Sequence, residues 1–173
     1  PEFTAGPTVA CINGVLASRL ANADVIPYDL PRYATDLDTH IDALVTAAEG
    51  KGMSADIGAL KAAVASASQA ALAFEQTRDR LLSGAGRPEA DLGAANRKLV
   101  AVEKAFIHME GLQGRPWFRS LYAADNPFDG YAAWMLPGLC HEVEAGTPEG
   151  LASWLGVYTR AVDDLAGRIN AAA

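Results

Sequence analysis

Residues 54–83 read SADIGALKAAVASASQAALAFEQTRDRLLS, and this stretch decides the fold. Ile57, Leu60, Val64, Ala67, Ala71, Phe74, Arg78 and Leu81 follow one another in steps of three and four without a break. Such stepping places all eight on one face of a helix and is the pattern of a bundle seam. Ser54 offers an N-cap, and the small residues Ala67 and Ala71 allow a neighbouring helix to approach closely. The run 83–88, Ser-Gly-Ala-Gly-Arg-Pro, closes the helix.

The same stepping extends to both sides. Upstream, Asp29 is a good N-cap and Pro31 sits in the first turn, where its missing N–H is harmless. Tyr33, Leu37, Ile41, Leu44 and Ala48 then share a face, and Gly50 and Gly52 end the helix. A weaker helix, interrupted by Gly14, is expected over 8–22. Downstream, Leu92, Ala95, Leu99, Val102 and Phe106 predict a helix from about Glu89 to His108. A short helix follows Pro137-Gly138 and ends near Gly146. Thr147, Pro148 and Glu149 open the last one, with Leu151, Leu155, Tyr158, Val162, Leu165 and Ile169 on its buried face. No period-two run is long enough for a sheet. Short turns near Gly50 and Gly86 imply antiparallel neighbours. The expectation is an all-α, up-and-down four-helix bundle with additional short helices. One long irregular stretch, 110–130, carries Trp117, Phe118, Tyr122 and Phe128 and is rich in aromatics; a loop of this length in a compact domain is usually functional or packed as an ordered excursion.

Composition narrows the function. The 173 residues are 50% hydrophobic and 20% charged, which excludes intrinsic disorder. The net charge of −7 disfavours nucleic acid and anionic membrane surfaces as partners. No apolar run approaches the ~18 residues of a membrane span. Pro1-Glu2-Phe3-Thr4 reads as a cloning scar; residues 1–7 are set aside as scar and disordered start, leaving 8–173 as the domain. Cys11 and Cys140 are compatible with one bridge across a long loop or with two unpaired thiols.

Catalytic constellations are wanting. His40, His108 and His141 form neither H-x-x-x-H nor H-E-x-x-H, and no E-x-x-H pair occurs. His141-Glu142-Val143-Glu144 is the one metal candidate, and it reads more simply as a solvated helix face. No serine has a G-x-S-x-G context, and no P-loop or dinucleotide fingerprint is present. Composition and spacing describe a helical bundle with no metal site and no catalytic residues of its own.

Two stretches carry a more specific pattern. The first is Leu20-Ala21-Asn22-Ala23-Asp24-Val25-Ile26-Pro27-Tyr28-Asp29, followed by Tyr33-Ala34. The second runs Val102-Glu103-Lys104-Ala105-Phe106-Ile107, then Gly111-Leu112-Gln113-Gly114-Arg115-Pro116-Trp117-Phe118-Arg119, and continues Gly130-Tyr131-Ala132-Ala133-Trp134-Met135-Leu136-Pro137-Gly138-Leu139. From about Ala17 to Ile169 the chain resembles the transferrin-receptor-like dimerisation domain, the C-terminal helical module of the transferrin receptor and of glutamate carboxypeptidase II. Asp29, Glu103, Phe106, Arg115, Pro116, Arg119, Pro137 and Gly138 are the signature positions.

The resemblance implies a non-catalytic module of a larger, exported zinc peptidase, either a glutamate carboxypeptidase or an aminopeptidase. Its partners would be its own protease domain, which would hold the zinc, and the second subunit of a homodimer. In the carboxypeptidases a Lys-Tyr pair before A-G-x-x-F-P-G grips the carboxylate of a terminal glutamate. Tyr131 matches the tyrosine and Gly130 stands at the lysine position, so half of that clamp is missing. The alternative for Tyr131 is packing within an aromatic loop. Arg115 and Arg119 are expected to anchor the loop rather than to touch substrate. The alternative for the whole chain is a free-standing four-helix binding or inhibitor protein.

Overall fold

The computed structural model describes residues 5–85 and 91–173. Pro1–Thr4, the expected turn at Gly86–Pro88 and the expected helix start at Glu89 lie outside the described residues. Three long helices build the core: α2 (Leu30–Gly50), α3 (Gly58–Arg80) and α6 (Pro148–Ala172). They are joined by α1 (Ala5–Ala21), α4 (Leu92–Val100), α5 (Pro137–Ala145) and a ribbon of β1 (Ala123–Asp125) and β2 (Ala133–Met135). Among the described residues no helix is long and apolar enough to cross a membrane.

Local chemistry starts each long helix. The Asp29 carboxylate accepts the Arg32 N–H at 3.3 Å and opens α2. Thr147 Oγ1 accepts the Gly150 N–H at 3.0 Å and opens α6. α3 starts later than expected, at Gly58, whose N–H is taken by Asp56 Oδ1 at 3.1 Å. Ser54 is no cap, because the helix begins four residues later and Met53, Ala55 and Ile57 lean on the core from a non-helical connection. α3 packs against both α2 and α6, so it buries Ala63 and Ala70 besides Leu60, Val64, Ala67, Ala71 and Phe74. A helix flanked on two sides buries a wider stripe than a single seam, and alanines let both neighbours come near.

The fourth bundle element differs most from the expected helix over 89–108. α4 ends at Val100, and a 3-10 segment takes over for Val102–Phe106. The cause is tertiary. Arg168 of α6 donates from Nη1 to the Ala101 carbonyl at 3.1 Å, and Lys98 Nζ reaches the Ala171 carbonyl at 2.5 Å. These pairs fix α4 antiparallel to the end of α6, and the chain tightens to three-residue hydrogen bonds so that Val102, Ala105 and Phe106 turn inward. The up-and-down bundle therefore has three full helices and one broken one.

α1 stands apart. It begins at Ala5, within the stretch expected to be disordered, and continues through Gly14. It has no buried residue; Val9, Ile12, Val15, Leu16 and Leu20 are all exposed. The connector after it is firmly held. Val25 is buried, Asn96 Oδ1 accepts the Ile26 N–H at 2.9 Å, and Asn96 Nδ2 donates to the Asp24 carbonyl at 2.9 Å.

α5 is capped from another helix. Its N-cap position, Leu136, has no capping side chain and lies in the left-handed region at φ 53°. The buried Tyr158 hydroxyl of α6 accepts the Gly138 N–H at 3.0 Å instead. Burial raises the Tyr158 phenol far above its ordinary range, so it stays neutral. Replacing Tyr158 by Phe leaves a buried N–H unpaired and is expected to cost about 1–3 kcal/mol, read as a lower urea midpoint with an unchanged m-value. A raised folded-state pKa means stability held below the ordinary tyrosine pKa and lost as pH climbs above it. The Phe variant should accordingly lose less stability than the parent on going to strongly alkaline pH.

Candidate functional site

The irregular stretch is an ordered hairpin stack rather than an open loop. Ile107 pairs with Ser120 and Leu112 with Arg115, both antiparallel. Next, β1 pairs with β2 in the register Ala123 to Met135, Ala124 to Trp134 and Asp125 to Ala133. Three-residue strands are too short to show a period, so the two-stranded ribbon was not foreseen.

The ribbon's tip, 126–132, is closed by its own polar side chains. Asn126 Oδ1 accepts the Phe128 N–H at 2.9 Å, and Asp129 Oδ1 accepts the N–H groups of Tyr131 and Ala132 at 3.0 and 3.2 Å. Asn126 and Asp129 are joined side chain to side chain at 3.1 Å. At the end of this rigid turn Tyr131 is 99% exposed. Among the described residues no ring packs against it, unlike the aromatic-loop alternative. Gly130 has φ +72°, a conformation that favours glycine, with open space where a Cβ would be.

The two arginines part company. Arg115 is nearly buried; its Nη1 donates to the Asp125 carbonyl at 3.0 Å and lies 3.3 Å from the Asp125 carboxylate. Its guanidinium sits over the Phe118 ring, 4.8 Å from the centroid. The Pro116 backbone lies against Gly111, which has a left-handed φ of +75° and no room for a Cβ. Arg119 is exposed and faces a different feature, a cleft of about 760 Å³.

That cleft gathers four of the eight signature positions, Asp29, Glu103, Phe106 and Arg119, from segments some seventy residues apart. Its wall is an aromatic trio. Tyr33 stacks on Phe106 with centroids 6.2 Å apart, and Tyr122 meets Phe106 edge-on at 5.2 Å. Burial, the larger cause, and then Glu103 push the Tyr33 phenol up; burial and then Asp36 do the same to Tyr122. Both are neutral donors at ordinary pH. The remaining two positions, Pro137 and Gly138, open α5 beneath the ribbon, where Gly138 lies against the Trp154 indole.

His141-Glu142 is not the solvated face expected. Glu142 is only 8% exposed and is held by Gln113 Nε2 at 2.8 Å and by the Thr147 N–H at 3.3 Å. The carboxylate occupies the space where a side chain on Gly146 or Gly150 would go. Those two glycines, four and eight residues after Glu142, were the available sequence signal for a buried carboxylate. Gln113, Trp154 and Tyr158 were likewise missed as site-supporting residues. Cys11 and Cys140 are both free thiols. Cys140 donates to the Met135 carbonyl at 3.1 Å, and burial, reinforced by Glu144, raises it to about 11. Among the described residues no three His, Cys, Asp or Glu side chains come together as a metal site.

The fold is thus a helical bundle with one helix, α1, that buries none of its residues and with an exposed tyrosine on a two-stranded ribbon. The comparisons give the family. The transferrin receptor-like dimerisation domain matches residues 55–170, and the chain belongs to that family. It is similar to probable glutamate carboxypeptidase AMP1 of Arabidopsis thaliana, 28% identical over 87% of this chain and 22% of that protein. It is also similar to probable glutamate carboxypeptidase LAMP1 of the same plant, 26% identical over 91% of this chain and 22% of that protein. A third relative, probable glutamate carboxypeptidase VP8 of Zea mays, is 31% identical over 70% of this chain and 17% of that protein. The chain thus spans about a fifth of the length of the relatives it matches.

Proposed function

We propose that this domain serves a larger peptidase as its docking and pocket-completing module. It joins the protease domain of its own subunit, helps to assemble a homodimer and lends Tyr131 to the substrate pocket. The catalytic zinc belongs to the protease domain in this reading, and the domain by itself hydrolyses nothing. The observation that carries the reading is α1, a seventeen-residue helix that buries none of its residues and leaves Val9, Ile12, Val15, Leu16 and Leu20 exposed. Contiguous apolar surface of this kind marks a contact with another domain or subunit.

Tyr131 supplies the finer part. Its hydroxyl is a neutral donor, and at Gly130 no ammonium stands beside it. A substrate carboxylate in a pocket needs a charge or several hydrogen bonds, and charge-assisted bonds are about twice as strong as neutral ones. The parent peptidase should therefore prefer neutral or varied C-terminal residues over glutamate. In the full-length protein, kcat/KM on paired dipeptides ending in Glu and in Leu tests this. Gly130→Lys should move the Glu/Leu ratio at least about tenfold towards Glu, equivalent to about 1.4 kcal/mol. Lysine at a left-handed φ costs roughly 1–2 kcal/mol of stability, a cost common to both substrates that cancels in the ratio. A strong Glu preference in the unmodified protein, or an unchanged ratio in the variant, would overturn the assignment.

A further inference from the structure

We infer that the turn at 111–116 is a two-handed brace that sets the position of the Tyr131 ribbon, with Arg115 and Gln113 as its positioning residues. From one side of the turn, Arg115 holds Asp125, the last residue of β1, by both its carbonyl and its carboxylate. From the other side, Gln113 Nε2 donates to the Gly138 carbonyl at 2.8 Å, three residues beyond the end of β2. The two legs of the ribbon are therefore tied to a single turn of four residues, closed by the Leu112–Arg115 bridge.

Three further observations agree with a brace. The same Gln113 nitrogen reaches the buried Glu142 carboxylate at 2.8 Å, and Glu142 is fastened to the start of α6 through Thr147. The turn is thus referred to the rigid bundle. Second, Arg115 is kept largely buried although its Nε has no hydrogen-bond partner. A buried unpaired donor is costly, so the contacts of its other end and its stacking on Phe118 must outweigh that cost. Third, Leu136, at the exit of the ribbon, holds a left-handed φ of 53° while its N–H donates to the Tyr122 carbonyl at 3.0 Å. Strain of this kind persists only where the surroundings over-determine the backbone. Since the tip 126–132 is closed internally, fixing both legs fixes where the Tyr131 side chain stands.

The link from this brace to substrate selection rests on the proposed role of Tyr131; the brace itself does not. Amide hydrogen exchange on the 173-residue chain tests it directly. Arg115→Gln should speed exchange of the β1–β2 ladder amides and of Leu136 at least tenfold, while amides in the middle of α3 and α6 keep their rates. Arg115→Lys, which keeps the charge but not the fork, should fall between the two. Gln113→Ala and Asp125→Ala, away from the aromatic stack, give the same readout if the arginine variants fail to fold. Unchanged ladder exchange, or an equal rise throughout the bundle, overturns the brace. In the full-length peptidase the braced tyrosine predicts a raised KM with little change in kcat for Arg115→Lys. Faster ladder exchange with an unchanged KM would keep the brace and remove Tyr131 from the pocket.

Discussion

Phe106→Ala should destabilise the domain by about 3–5 kcal/mol, a loss of roughly 10 °C in Tm by circular dichroism. Phe106 is buried although it sits in a 3-10 segment at the edge of the bundle. Its ring is stacked on Tyr33 and lies edge-on to Tyr122, and its carbonyl accepts the Leu121 N–H at 2.8 Å. The alanine variant loses the transfer energy of the ring and two aromatic contacts, and it opens the floor of the neighbouring cleft. Tyr33 and Tyr122 cannot close over the gap without exposing their own half-buried rings. A loss below about 1 kcal/mol would show that the trio is surface decoration rather than core. Leu99→Ala, at a fully buried position of α4, should cost about 2–5 kcal/mol by the same reasoning and serves as the comparison.

Gly138→Ala should cost about 1–3 kcal/mol or more, although alanine is the better helix former. A Cβ at this position would lie 2.5 Å from Trp154 Cε3 and 2.6 Å from Cζ3. The indole cannot yield cheaply, because it is set edge-on against His108 at 5.5 Å and packs near Tyr158 at 6.3 Å. Movement of α5 instead would break the Gly138 N–H bond to the Tyr158 hydroxyl. A double-mutant cycle separates the causes: Trp154→Leu vacates the space, so the pair should be more stable than the sum of the single losses by about 1 kcal/mol or more. Strict additivity would mean that the glycine is there for another reason.

How much of this was legible depended on the range of the interactions concerned. Asp29 with Pro31 and Thr147 with Pro148 announced two helix starts, because a cap acts within three residues. The apolar steps of α6 were read in full, since Leu151, Leu155, Tyr158, Val162, Leu165 and Ile169 are all buried. Ser54 failed as a cap because Met53 and Ile57 are drawn to the core from a non-helical connection. The helix expected to reach His108 stops at Val100, since Arg168, sixty-seven residues away, takes the Ala101 carbonyl. The β1–β2 ribbon, at three residues a strand, had no period to detect.

Glu142 makes the same point for the site. Beside His141 and Glu144 it looks like a solvated acid, and its burial follows only from Gln113 and from the side chains that Gly146 and Gly150 lack. The signature positions Asp29, Glu103, Phe106 and Arg119 were visible one by one, while the cleft that they share was not.

By itself, the sequence determined the helical class, the caps of α2 and α6, the family signature and the chemical identity of the Gly130-Tyr131 step, because each is written in residues close together along the chain. Only the tertiary structure decided that Tyr131 is fully exposed, that Arg115 is turned inward while Arg119 is left at the surface, and that α1 buries none of its residues. Those outcomes depend on which surfaces meet. Burial of a side chain is set by neighbours up to a hundred residues away, and no local pattern of hydrophobicity or charge encodes them.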